Sequence, residues 1–241
     1  RDGMTLPDLT LQGARVLTPS GLSRTPLALS RGLIAEAPTG RVVDLSGYLV
    51  LPGIVDIHGD GFERHLAPRR GALESLSAGL ASLDAELAAN GITTAVIAQF
   101  FSWEGGMRGP DFAEELAGAL AETPMRADTR MQLRLEIGMI DQFDRAAELI
   151  ERARIPYVVL NDHLPHKELA AGKRPPSLTG QALKARRSPE AHWALMQEMH
   201  DRWEEVPGAL AHLCAVLRQH GVLIGSHDDH TAAERARARE I

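Results

Sequence analysis

Five residues from four stretches of the chain have the side-chain types of a metal centre: His58, Asp60, Glu136, His163 and His227. His58 and Asp60 are two apart at the end of an aliphatic run, so on a strand they project to the same side. Imidazole and carboxylate are ordinary ligands for zinc and similar cations. A histidine satisfied by packing beside a loop aspartate would give the same pair. The later residues decide between these readings. Glu136 lies on a second apolar run, and His163 and His227 each close another. Packing does not explain three runs that end in histidine. The set has the composition of a binuclear site in which Glu136 bridges two cations and a bridging water is made acidic enough to attack. Asp228 and Asp229 follow His227 and are placed to orient it or to act as base. Glu63, Arg64 and His65 follow the first pair, and Arg64 and His65, with Arg69 and Arg70, offer donors for phosphate oxygens. Lys167, Lys173 and Arg174 read as surface charge, with contact to a polyphosphate as the alternative, and His192, His200, His212 and His220 as structural or solvent-facing.

The elements that position these residues follow from periodicity. Residues 5 to about 50 form short apolar runs split by Gly, Pro and Ser, a small β unit. Residues 49–58 read as one buried strand. Leu76, Leu80, Leu83 and Leu87 recur at helical spacing and predict a helix over 73–89, closed by Asn90-Gly91. Residues 92–98 follow as a buried strand, which makes a β-α-β unit and implies a parallel sheet. The rhythm continues with helix 111–122, strand 131–137, helix 144–153, strand 156–163, helices 189–203 and 207–220, strand 221–227 and a charged helical tail from Thr231. Residues 164–190, rich in proline and basic residues, read as an irregular insertion. About five strands are short of the eight that close a barrel. Strand C-terminal ends share one face of such a sheet, which is where active sites sit.

Composition narrows the partners. The 241 residues carry a net charge of −6, which gives no electrostatic case for nucleic acid or an anionic membrane. No apolar run approaches the roughly 20 residues needed to span a bilayer. Cys214 is the only cysteine, so no intrachain disulfide forms and a reducing, cytoplasmic setting is expected. The expected partner is a small phosphorylated substrate, and a homo-oligomer is compatible with the sequence.

The run "DLSGYLVLPGIVDIHGD" after a small β unit resembles the start of amidohydrolase-superfamily proteins. With "HGDGFERHLAPRRG", "NDHLP" and "SHDDHT", it is similar to the PhnM-like branch of the carbon–phosphorus lyase pathway. The resemblance implies an α/β fold: a (β/α) TIM-like metal-dependent hydrolase barrel, incomplete at its C-terminal side, over residues 51–241, behind a small β-sandwich unit over 1–50. It implies His58 and Asp60 as first-strand ligands, Glu136 as a bridging carboxylate, and His163 and His227 as the later ligands. The cofactor implied is a divalent metal, one or two ions, zinc first with manganese or iron as alternatives. The activity implied is hydrolysis of a ribosyl triphosphate to its 5-phosphate and pyrophosphate. Two departures stand out. Asp60-Gly61-Phe62-Glu63 replaces a more polar motif, and the superfamily's late-strand aspartate is not in this chain. Hydrolysis of a C–N bond, or a non-catalytic fragment, are the rival readings.

Overall fold

A computed structural model describes residues 7–67, 75–229 and 231–240. The chain divides into two compact units, Arg1–Ile54 and Val55–Ile241.

The first unit is built from short strands. These are β1 (Leu9–Gln12), β2 (Arg15–Thr18), β3 (Gly21–Ser23), β4 (Leu27–Ser30), β5 (Leu33–Ala35), β6 (Arg41–Asp44) and β7 (Leu49–Val50). They form two small sheets, in the orders β5-β4-β1-β6 and β3-β2-β7. Asp8 ties the first sheet together by accepting from Ser30 Oγ at 3.0 Å and Thr39 Oγ1 at 3.1 Å. The neighbouring Gly40 has φ +63°, and a Cβ there would lie 1.9 Å from the Asp8 carbonyl oxygen, so only glycine fits.

The second unit holds β8 (Ile54–Gly59) from Val55 onward, followed by α1 (Glu63–Leu66), α2 (Leu76–Ala89), β9 (Ile92–Phe101), α3 (Pro110–Glu122), β10 (Asp128–Glu136), α4 (Phe143–Ala153) and β11 (Tyr157–Asn161). It continues through α5 (His166–Ala170), α6 (Leu178–Lys184), α7 (Pro189–Asp201), α8 (Val206–Gln219), β12 (Leu223–Ser226) and α9 (Ala232–Glu240). The five strands form one sheet in the order β12-β11-β10-β9-β8, a curled half-barrel whose neighbours from β9 to β12 are parallel.

Strand alternation divides this sheet into two chemistries. Ile97, Phe101, Met131, Leu133, Leu135, Val158 and Leu160 point one way and form a single core with helix residues such as Leu83, Leu116, Leu149 and Leu213. Burying such side chains contributes roughly 1.5–3 kcal/mol each. The register pairs Arg134 with Phe100 and Val159, and Glu136 with Asn161. Residues paired in register share a face, so Phe100, Gln132, Arg134, Glu136 and Asn161 lie together on the other side. All five are buried.

Two expectations about elements need correction. Residues 49–58 do not form one buried strand. The segment breaks at Leu51-Pro52-Gly53, where proline lacks a donor for a ladder. Its first part joins the small sheet as β7, and its second part, β8, is an edge of the five-stranded sheet. There Ile54, Val55 and Ile57 are 55%, 59% and 64% exposed. Residues 164–190 are not irregular throughout. They contain α5 and α6, whose Leu169 and Leu178 join Trp103, Leu164, Met196 and Met199 in a second core cluster.

Candidate active site

The polar residues gather where the strands end. Glu136, the last residue of β10, is 1% exposed. Its Oε2 accepts the indole N–H of Trp103 at 3.3 Å and the backbone N–H of His163 at 3.1 Å. Its Oε1 pairs closely with His163 Nδ1. This bond to Glu136 raises the His163 pKa above its ordinary value, against the opposing effect of burial. The other His163 nitrogen, Nε2, lies 3.4 Å from Asp228 Oδ2, and the same oxygen lies 2.8 Å from His227 Nδ1. Burial pushes the Asp228 carboxyl up, but His227 and His163 outweigh it and hold it below the usual carboxylate range. Asp228 has φ +64°, a left-handed conformation that aspartate tolerates. The result is one line of contacts, Glu136–His163–Asp228–His227. His58 extends it by stacking on His227, with ring centroids 5.1 Å apart. A cavity of about 670 Å³ opens beside His227 and Asp228 and is also lined by Asn161, Asp162 and Trp203.

The structure therefore brings together His58, Glu136, His163, His227 and Asp228. It does not bring Asp60 into hydrogen bonding with them; Asp60 acts on Glu63 and Arg134 only through longer-range charge. Asp229 turns aside and accepts from Ser226 Oγ at 2.7 Å. The expected phosphate donors are placed elsewhere. Arg64 pairs with Glu86 of α2. His65 Nε2 is 2.9 Å from the same carboxylate, out of line for a hydrogen bond, and its Nδ1 meets Ser82 Oγ at 3.0 Å. The reason is the short helix α1, which was not foreseen and lays both side chains against α2. Arg69 and Arg70 lie outside the described residues. Glu63 is half-buried, and burial raises its pKa against the pull of Arg108 and Lys184.

Several site neighbours escaped the sequence reading. Trp103 holds Glu136. Arg108 and Arg134 both stack on Phe100, at 4.4 and 4.1 Å from the ring centroid. His192, expected to be structural or solvent-facing, is buried beside Trp103 and within 3.3 Å of Arg187. His200 meets His166, Nδ1 to Nδ1, at 2.9 Å. The signal for Arg134 was present: Gln132, Arg134 and Glu136 alternate along one strand and so share a face.

Among the described residues, no group of three or more His, Cys, Asp or Glu side chains is already arranged to hold a metal ion. The donor chemistry nonetheless fits one. His163 and His227 present ring nitrogens to the Glu136 and Asp228 carboxylates, contacts in which a proton satisfies both partners. A divalent cation would take the place of such protons, because ligands bind metals in their deprotonated forms.

No protein-family model matches the chain. Over 214 residues, 83% of its length, it is 26% identical to the α-D-ribose 1-methylphosphonate 5-triphosphate diphosphatase of Escherichia coli (strain K12). The chain spans about half of that relative, 54% of its length. The L-hydantoinase (dihydropyrimidinase) of Arthrobacter aurescens superposes with a TM-score of 0.41 at 15% identity, over 92% of this chain and 52% of the other. No helix among the described residues is long and apolar enough to cross a membrane.

Proposed function

We propose that this chain carries the strand-end site of a metal-dependent hydrolase that cleaves a phosphoanhydride, with α-D-ribose 1-methylphosphonate 5-triphosphate converted to the 5-phosphate and pyrophosphate in the cytoplasm. The observation that carries the reading is the connected line Glu136–His163–Asp228–His227, with His58 stacked on its end. The similarity to the E. coli diphosphatase supports the choice of substrate. His58, Glu136, His163 and His227 would hold one or two divalent ions, zinc first among them, with Asp60 joining from the loop after β8. When bound, such an ion lowers the pKa of water and stabilises charge that develops on phosphoryl oxygens.

The chain's own groups do the rest. The Asp228 carboxyl, held in its ionised form by two imidazoles, accepts the proton of the attacking water. His163 and His227 flank that carboxylate and stabilise the charge it carries. Glu136, fixed by the Trp103 indole and by the His163 backbone, orients the His163 ring and keeps one nitrogen turned toward Asp228.

The test is turnover with metal analysis. The chain is incubated with a ribosyl 5-triphosphate and either zinc or manganese, and pyrophosphate release is followed. Release that a chelator abolishes and that Asp228→Asn removes supports the proposal. Ammonia or carboxylate release from a cyclic amide, without pyrophosphate, would move the site to C–N hydrolysis. No turnover and no bound metal would refute both.

A further inference from the structure

We propose that Arg134 is the anchor for a phosphoryl oxyanion of the substrate; this rests on the reading of the site as a phosphoanhydride hydrolase. Arg134 lies on β10 two residues before Glu136, so both side chains project from the same face, about 7 Å apart along the strand. The residue is 6% exposed. Its guanidinium carbon lies over the Phe100 ring, 4.1 Å from the centroid, a cation–π contact that holds the head group on this face.

Those donors are barely used. An arginine offers five N–H groups. Nη2 comes no nearer than 3.4 Å to Asn161 Oδ1 and to His227 Nδ1. The second contact is weaker than its distance suggests. His227 Nδ1 is 2.8 Å from Asp228 Oδ2, so its proton points to the carboxylate and the nitrogen has no lone pair to offer Arg134. Nε is buried and has no hydrogen-bond partner among the described residues. The charge is balanced only at longer range, by Asp228, Asp60 and Glu136.

A buried cation with unfilled donors lowers stability unless something completes it. The planar fork of a guanidinium matches two oxygens of a tetrahedral oxyanion. Arg108 is not an equal candidate, although it stacks on the same ring, because its Nη1 already donates to Glu104 Oε2 at 2.7 Å. The separation between Arg134 and Glu136 places the bound oxyanion beside the line of acid–base groups. The phosphoryl group held is therefore the one next to the bond that breaks.

The experiment measures binding of inorganic phosphate by calorimetry to the full chain in manganese-containing buffer, for wild type, Arg134→Gln, Arg134→Lys and Arg108→Gln. Arg134→Gln is expected to weaken phosphate binding about ten- to a hundredfold, since a bidentate charge-assisted contact is lost. Arg134→Lys, which keeps the charge without the fork, falls between, and Arg108→Gln stays within about threefold of wild type. Retained manganese, measured after desalting, is expected to be equal in all four. The inference is overturned if wild type binds no phosphate, if it binds acetate as tightly, if Arg134→Gln leaves affinity unchanged, or if affinity falls only together with manganese content. Should Arg134→Gln not fold, Arg134→Lys decides alone, and affinity equal to wild type overturns the inference. Phosphate held through Arg134 without pyrophosphate release would refute the proposed reaction and leave the anchor standing. Turnover by Arg134→Gln with unchanged KM would do the reverse.

Discussion

Replacing Glu136 tests the centre of the candidate site without substrate or metal. The carboxylate is fully enclosed and accepts two donors with one oxygen, the Trp103 indole N–H at 3.3 Å and the His163 backbone N–H at 3.1 Å. Glu136→Ala leaves both without a partner. A buried donor left unmade costs about 1–3 kcal/mol, and the His163 amide is only part-buried, so the expected loss is about 2–4 kcal/mol. Glu136→Gln keeps one carbonyl oxygen for those donors and should cost about 1 kcal/mol. The assay is urea unfolding in chelator, followed by tryptophan fluorescence. All three tryptophans, Trp103, Trp193 and Trp203, lie in the unit from Val55 onward, so the signal reports that unit alone. With a slope of about 2 kcal/mol per molar urea, Glu136→Ala should lower the midpoint by about 1–2 M. The pH dependence has a definite sign. Folding raises the His163 pKa above 6.5 through its bond to Glu136. The folded state thus binds that proton more tightly, and the stabilisation is complete below 6.5 and disappears as pH rises through the raised value. The gap between wild type and Glu136→Gln should therefore be wider at about pH 5.5 than at about pH 8.5. An alanine variant as stable as wild type, or a gap that widens toward alkaline pH, would refute the reasoning.

Three further outcomes follow from the packing and the site. Leu133→Ala, at a fully buried position between β10 and the helices, should cost about 2–5 kcal/mol in the same urea assay, while a loss below about 1 kcal/mol would mean that the core collapses around it. Asp84→Ala removes the oxygen that accepts the backbone N–H of Arg126 at 2.9 Å and of Ala127 at 3.0 Å. It should destabilise by about 2–4 kcal/mol, and Asp84→Asn by less, read as thermal midpoints. Asp228→Asn keeps a residue that tolerates φ +64°, so it should fold, with a thermal midpoint lowered through its weakened contacts to His163 and His227, while pyrophosphate release drops about a hundredfold or more; undiminished release would remove Asp228 as the base.

How far the fold could be read from the residues depends on what each pattern measures. The helix after the first strand was legible because Leu80, Leu83 and Leu87 recur at helical spacing and all three are buried. The strands β9 to β12 were legible because each is a short apolar run between helix signals. The segment 49–58 was misjudged for a physical reason. Apolar content reports a preference for burial and not its achievement. Ile54, Val55 and Ile57 sit on the edge of the sheet, where no further strand among the described residues covers them. The helices α5 and α6 were hidden by their prolines, although Leu169 and Leu178 bury themselves against Trp103 and Met196.

The site shows the same division between composition and direction. That His58, Glu136, His163 and His227 come together could be read because each stands near a strand end, and a parallel sheet collects its strand ends on one side. Arg64 and His65 could not be judged that way. Their neighbours in sequence are candidate ligands, but a single helical turn swings them onto Glu86 of α2. Arg134 is the converse case. It sits inside a strand, where a charge reads as an anomaly, yet alternation with Gln132 and Glu136 already assigned it to the polar face. On this sheet the parity of a residue along its strand predicts its partners better than its distance from a motif. Leu133 and Leu135 go to the helices, and Arg134 and Glu136 go to the polar face.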